Sequence, residues 1–386
     1  MKDYEEKVFK TKEEMEKFLK ERDDADQWLR VPMCNIKVSG DYGPIIVHSV
    51  LDSFDGTYEG TEEDAMQCLE EAGLFVGFSD PSDEGRIKTY PLRYTAVDSL
   101  YDRAGLSGRT IHGEGDSDNI LHPSVKAEWL TTALNLYKKS ETQILIREGK
   151  ISTMRSAQYN VLKASELFDN VWKFISRNWD EPAFIGGVAS HELTHSDISY
   201  GSEDENKILK SKLTKAGIKC EKCSLSLQFY TSDTGDAAAT LLPYIRLDDK
   251  LVPIGEGLKL VHSHGASMDD WREKILKRLD SFPRATLEKI DNLASIKIDN
   301  PAGCLRFTAC DLKLPKRNSL KVAADFEAMY TNGCTALDVY YKLFEIAQMS
   351  QRKTEADKLK ANELIARSLF TDFKANDLEF EWADNK

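Results

Sequence analysis

No stretch of about 18 apolar residues occurs in this sequence, so no segment is suited to cross a bilayer as a helix. Positive charge is in deficit: 65 Asp and Glu stand against 52 Lys and Arg, a formal net charge of -13. That balance argues against a wide phosphate-binding surface and leaves room only for a local basic groove. The Gly-rich stretch after Ser107 lacks the Lys-Ser/Thr of a Walker loop, which weighs against nucleotide binding there. Cys220-Glu221-Lys222-Cys223 has no second pair at zinc spacing, since Cys304 and Cys310 are poorly placed for one, and it reads as a turn with free thiols. The seven cysteines are an odd, scattered set, which fits reduced thiols rather than a disulfide framework. Met1 to Lys7 is charged and without the apolar core of a signal peptide, so the protein is expected to stay in the compartment where it is made, a cytosol. Internal repeats and low-complexity tracts are missing as well.

What is present is an ordinary globular composition. The chain has 386 residues, 41% hydrophobic and 30% charged, enough for two domains and a substantial core. Residues 3 to about 30 read as a charged amphipathic helix around Met15, Phe18 and Leu19. Residues 43–51 read as a buried strand and 52–62 as a polar turn whose Asp and Gly do not fit a calcium loop. Leu92 to Ala104 reads as a helix capped by Gly105, and Pro123 opens another. Thr142–Arg147 and Ile151–Ser156, joined through Glu148-Gly149-Lys150, read as a hairpin. A helix from about Lys163 to Arg177 follows. Strands then dominate to about residue 264, among them Ser224–Tyr230 and Ala239–Ile245 around the turn Thr231–Gly235, with a helix at Glu205–Lys215 between them. Beyond Ser267 the rhythm is helical: to Asp280, then Ala285–Ala294, Leu320–Tyr330, Thr335–Ser350 and Thr354–Phe370, with Pro301 and Pro315 as breaks. The expected class is α+β: a mixed, mainly antiparallel sheet with flanking helices, then a helical C-terminal region. The expected partition is 1–88, 89–265 and 266–386.

One short pattern names a chemistry. In His191-Glu192-Leu193-Thr194-His195, a helix would put His191 and His195 on one face to bind zinc, with Glu192 as the general base on a metal-bound water. Phe184, Ile185, Val188, Ala189 and Leu193 keep helical spacing. Against a helix stand Gly186-Gly187 and the strand-like Ser196 to Tyr200. The extended metzincin pattern fails, with Ile198 where Gly is needed and Gly201 where His is needed. A third ligand would have to come from elsewhere, His262 or His264 for example. The expectation is a strand or loop without metal.

Arg109, Arg147 and Arg155 are the candidate anion-binding cations, with Tyr159 as a stacking partner. Arg147 and Arg155 flank one hairpin and would share a sheet face. The opposing expectation is that these arginines pair with the protein's own carboxylates. Trp172, Trp179, Phe174 and Phe184 are read as core.

Four stretches in order carry a family resemblance: Leu100-Tyr101-Asp102-Arg103-Ala104-Gly105-Leu106; the hairpin Leu145-Ile146-Arg147 to Arg155-Ser156-Ala157-Gln158-Tyr159; Thr231-Ser232-Asp233-Thr234-Gly235; and Gly333-Cys334-Thr335-Ala336-Leu337-Asp338-Val339-Tyr340 with its following helix. Together, over roughly residues 90–380, they resemble the phage/plasmid-like protein family, a domain of unknown function. The resemblance implies a mobile-element setting in a bacterial host cytosol and supplies no catalytic residues. The leading expectation is therefore a non-enzymatic accessory protein acting on nucleic acid or on a host or phage protein, in recombination, replication support or counter-defence. It needs no cofactor and no membrane. The alternatives are a zinc metallopeptidase built on His191, Glu192 and His195, and a structural or assembly protein of a virion or of a homo-oligomer.

Overall fold

The computed structural model describes residues 6–40, 72–79, 87–106, 122–179, 182–235, 237–248, 250–260, 281–349 and 355–382, with isolated positions between 271 and 277. The fold is α+β, with mainly antiparallel sheets and a helical C-terminal region. Two hydrophobic cores organise it.

The smaller core lies between two three-stranded sheets and two helices. β2 (Gln27–Pro32), β6 (Glu141–Arg147) and β7 (Lys150–Ser156) form one sheet. β3 (Lys37–Ser39), β4 (Phe75–Ser79) and β5 (Ile87–Pro91) form the other. A parallel bridge between Leu92 and Ile151 joins them, with the Arg93 amide donating to the Ile151 carbonyl at 3.0 Å. α2 (Tyr94–Ala104) and α3 (Pro123–Asn135) cover this layer, burying Leu100, Leu130 and Leu134 against Val76, Ile144 and Ile151. The expected hairpin is present. Its turn residues Glu148 and Gly149 have φ of 53° and 69°, the two positive values that a tight turn of this twist requires. Gly105 ends α2 at φ 67°, as its position in the sequence indicates.

The larger core is built on a seven-stranded antiparallel sheet. Its strands are β1 (Lys7–Phe9), β8 (Ala183–Ala189), β9 (Thr194–Ser199), β10 (Cys223–Thr231), β11 (Ala239–Leu247), β12 (Lys250–Pro253) and β13 (Leu258–Leu260). They run in the order β1-β8-β9-β10-β11, with β12 and β13 both pairing β11. One face packs on α1 (Lys12–Ala25), α4 (Ala164–Asn178) and α5 (Glu203–Lys215) through Met15, Leu19, Phe168, Leu209, Ile198, Leu227 and Phe229. The core then runs on into α6 (Phe282–Ser295), α7 (Pro301–Asp311), α8 (Lys316–Met329) and α9 (Ala336–Met349), with a two-stranded ladder of β14 (Lys297–Ile298) and β15 (Cys334–Thr335). The other face carries Tyr230, Leu242 and Tyr244, which pack on Leu359 and Ala366 of α10 (Glu355–Ser368).

These cores cut across the expected partition. β2 pairs β6 across more than a hundred residues, β5 straddles residue 88, and β1 and α1 belong to the larger core. The single charged helix expected over residues 3–30 is instead strand, helix, strand. Thr11 caps α1 through a capping box with Glu14, and Trp28, Leu29 and Val31 leave the helix to pair with β6. Pro301, expected as a break, occupies the first turn of α7, where its missing N–H costs nothing. The strand and turn expected over 43–62, the loop 107–119 with Arg109, His262, His264 and most of the helix from Ser267 lie outside the described residues.

Candidate functional site

The His-Glu-x-x-His stretch is a hairpin turn. Ser190 to Leu193 link β8 to β9, closed by the Ser190 amide donating to the Leu193 carbonyl at 2.8 Å. The Ser190 hydroxyl accepts from the amides of Glu192 and Leu193 at 3.2 and 3.1 Å. A serine that caps the next two amides offers the backbone an alternative to a helical turn. The paired glycines belong to β8, and a Cβ on Gly187 would lie 2.4 Å from the Met15 sulfur in the core. The helix that a zinc site needs is therefore replaced by strand pairing.

His191 and His195 have separate surroundings. The His191 imidazole is mostly buried, its Nε2 3.9 Å from the Glu148 carboxylate. Burial, and then the charges of Arg93, Arg147, Lys150 and Arg22, depress its pKa from 6.5 to about 3. The four nearby cations disfavour a dication as they disfavour a proton. Among the described residues, no group of three metal-ligating side chains within reach of one another includes His191, His195 or Glu192. The metallopeptidase arrangement is thus corrected: these residues do not form a metal-binding face.

Depressed pKa values have a consequence for stability. The unfolded chain takes up a proton at His191 below about pH 6.5, and the native chain does so only near pH 3, so protonation favours unfolding across that window. Between pH 7 and pH 5 the native protein should lose about 2 kcal/mol more stability than a His191→Gln variant. Urea unfolding at both pH values checks this; equal losses would contradict it.

Beneath the turn lies a buried ionic centre. Arg147 is 3% exposed. Its guanidinium forks onto Asp26 at 2.9 and 2.5 Å, donates to Asp233 at 2.7 Å, and reaches the His191 carbonyl at 3.2 Å. Burial acts to lower the Arg147 pKa, but the hydrogen bonds to Asp26 and the charge of Asp233 outweigh it and hold it above the ordinary value. Arg22 lies 3.7 Å from Asp233 and donates to the Thr194 hydroxyl at 3.0 Å. Asp23 caps the start of α4 by accepting from the Ser165 amide at 2.7 Å, and burial raises its pKa. Asp23, Asp26 and Asp233 are close enough to share a cation, but the two guanidiniums already stand among them. Thr234 ties the assembly to the turn by donating to the Glu192 carbonyl at 3.2 Å.

Three of the four expected anion-binding residues fall in described segments, and their contacts lie within the protein. Arg147 is spent on carboxylates of the protein itself. Tyr159 stacks on Trp28 at 5.5 Å, its hydroxyl donates to the Asp233 carbonyl at 3.4 Å, and its pKa is raised by burial and by Asp233. Arg155 sits over the Tyr159 ring at 6.0 Å, against Gly235, where a Cβ would collide with its guanidinium. Arg109 is outside the described residues. Arg147, Tyr159 and Arg155 link the smaller core to the turn after β10.

His195 leads elsewhere. It pairs in register with Tyr230, and Asp197 with Gln228, so all four face the side of the sheet toward α10. There a cleft of about 700 Å³ opens between sheet and helices. His195, Asp197 and Gln228 form its floor, Lys250 and Leu251 one wall, Phe344, Glu345, Gln348 and Met349 of α9 another, and Lys358, Leu359 and Asn362 of α10 the third. Most floor groups are satisfied: Gln228 donates to Asp197 at 2.7 Å and accepts from the Tyr244 hydroxyl at 3.0 Å. Beside it Tyr230 donates to Glu363, which also holds Lys259 at 2.6 Å. His195 is the exception. It is 8% exposed, and its Nδ1 is buried without a hydrogen-bond partner, the one cleft-lining side chain of which this holds among the described residues. The sequence signalled His195 for the wrong partner. Asp197 and Gln228 carried no signal, because a lone polar residue in a β-rich run reads as alternation, and Asn362 reads as one more polar position on a charged helix.

Compared with known protein families, curated proteins and solved structures, the chain matches none of them.

Proposed function

We propose that this chain is a non-enzymatic accessory protein that works by holding a small ligand in the cleft between the seven-stranded sheet and α9 and α10. The observation that carries this reading is His195 Nδ1. An unpaired buried polar atom costs about 1–3 kcal/mol, a cost that a ligand's donor or acceptor in the cleft would relieve. The size of the cleft and its mixed lining, with polar groups held on a paired sheet beside Leu251, Phe344, Met349 and Leu359, support a ligand site. The motif resemblance to the phage/plasmid-like family supports a mobile-element setting, in which the ligand would adjust how the protein acts on nucleic acid or a protein partner.

The test is a fragment library screened by protein-observed NMR on the full chain, repeated on a Leu359→Trp variant whose indole fills the cleft. Binders are expected to shift resonances of β9, β10 and α10, and the variant to lose them. Binders unaffected by Leu359→Trp, or none at all, would refute the reading.

A further inference from the structure

The cleft is graded in a way that points to one class of ligand. Its deep end is buried and mixed: His195, Gln228, Phe344, Leu359 and Asn362 are each less than a tenth exposed. Its mouth is exposed and cationic, with Lys250 on β12 and Lys358 on α10. Glu345, on the α9 wall, is already held by Lys342 at 2.8 Å. Lys250 is steadied by the Tyr341 hydroxyl at 3.3 Å.

We propose that the cleft takes a 5′-phosphorylated nucleoside, base inward and phosphate at the mouth. The inference rests on the cleft being a ligand site. The deep end offers what a base edge asks for: a carboxylate, Asp197, to accept from an exocyclic amino group, and His195 Nδ1 to pair with a ring nitrogen or carbonyl. Leu251, Phe344 and Leu359 supply apolar surface for the flat faces of the base. The two lysines lie where a phosphate would project into solvent, and ammonium groups serve phosphate well as point charges. A bare anion is too small for about 700 Å³ and would leave His195 unmet. A peptide added as a strand is excluded at the floor, because β9 and β10 are interior strands with both edges paired.

Calorimetric titration of the full chain tests this, with the four ribonucleoside 5′-monophosphates, the matching nucleosides, inorganic phosphate and a 5′-phosphorylated trinucleotide as probes. At least one monophosphate should bind about tenfold more tightly than its nucleoside, the worth of one good charge-assisted contact. Inorganic phosphate should bind more weakly than either. A Lys250→Ala/Lys358→Ala double variant, at two exposed positions, should erase the difference between monophosphate and nucleoside while nucleoside binding persists. His195→Phe should weaken both. If the trinucleotide binds as tightly as the monophosphate, the source of the nucleotide is a strand end; if it binds more weakly, the source is a free nucleotide. If nucleosides match monophosphates, or if neither binds while NMR fragments still seat in the cleft, the ligand class is overturned and the cleft survives. If the fragments fail as well, both readings fall.

Discussion

Replacing Arg147 with Met should destabilise the protein by about 3–5 kcal/mol, the usual consequence of removing one partner from a buried ion pair. Both oxygens of Asp26 lose their Arg147 donors, Asp233 loses its 2.7 Å donor, and the His191 carbonyl loses its contact as well. Against a typical stability of about 5–15 kcal/mol that is a large fraction, and reduced yield would accompany it. An Arg147→Met/Asp26→Leu double variant should recover part of the loss, because an apolar pair of similar volume is often tolerated where a half-empty ion pair is not. Urea unfolding measures both. A surface arginine kept for binding an external anion would instead cost under about 1 kcal/mol on removal, and that result would restore the anion-binding role expected from the sequence.

Phe168→Ala should cost a similar amount, about 3–5 kcal/mol, for a different reason. The ring is fully buried and packs against Trp172, Phe184 and Phe229 at centroid distances of 6.2 to 6.4 Å, joining α4 to β8 and β10. Truncation leaves a cavity that two packed elements cannot close. Trp129→Ala, at a site 46% exposed, should change stability by no more than about 0.5 kcal/mol. The contrast separates an aromatic cluster that is core from one that serves as a stacking platform. Equal, small effects would mean that the cluster around Trp172 is not core.

Local signals in the sequence were dependable where the physics is local. Glu148-Gly149, Gly105 and Pro123 each act over four residues or fewer, and each stands where the sequence places it. The errors arose where pairing is long-range. β1 and β2 are charged, helix-like segments that become strands because β8 and β6 accept them, more than a hundred residues away. Arg147 is the same lesson at a site. A cation beside a hairpin turn reads as exposed until Asp26 and Asp233 arrive from two other elements. The His-Glu-x-x-His letters fit a helix and the surrounding strands do not, so the neighbours, Gly186-Gly187 and Ser196 to Tyr200, were the better guide. The cleft was not legible, since its walls come from β9, β10, β12, α9 and α10, which only the fold assembles.

The imidazole of His195 offers the most direct view of the central claim. With ring nitrogens labelled in all histidines, its Nδ1 resonance can be followed as the tightest-binding ligand of the cleft is added to saturation. The account predicts that His195 Nδ1 shifts as its hydrogen bond forms while His191, beneath the turn, stays where it was. A ligand that binds and moves His191, or that leaves His195 unmoved, would contradict it.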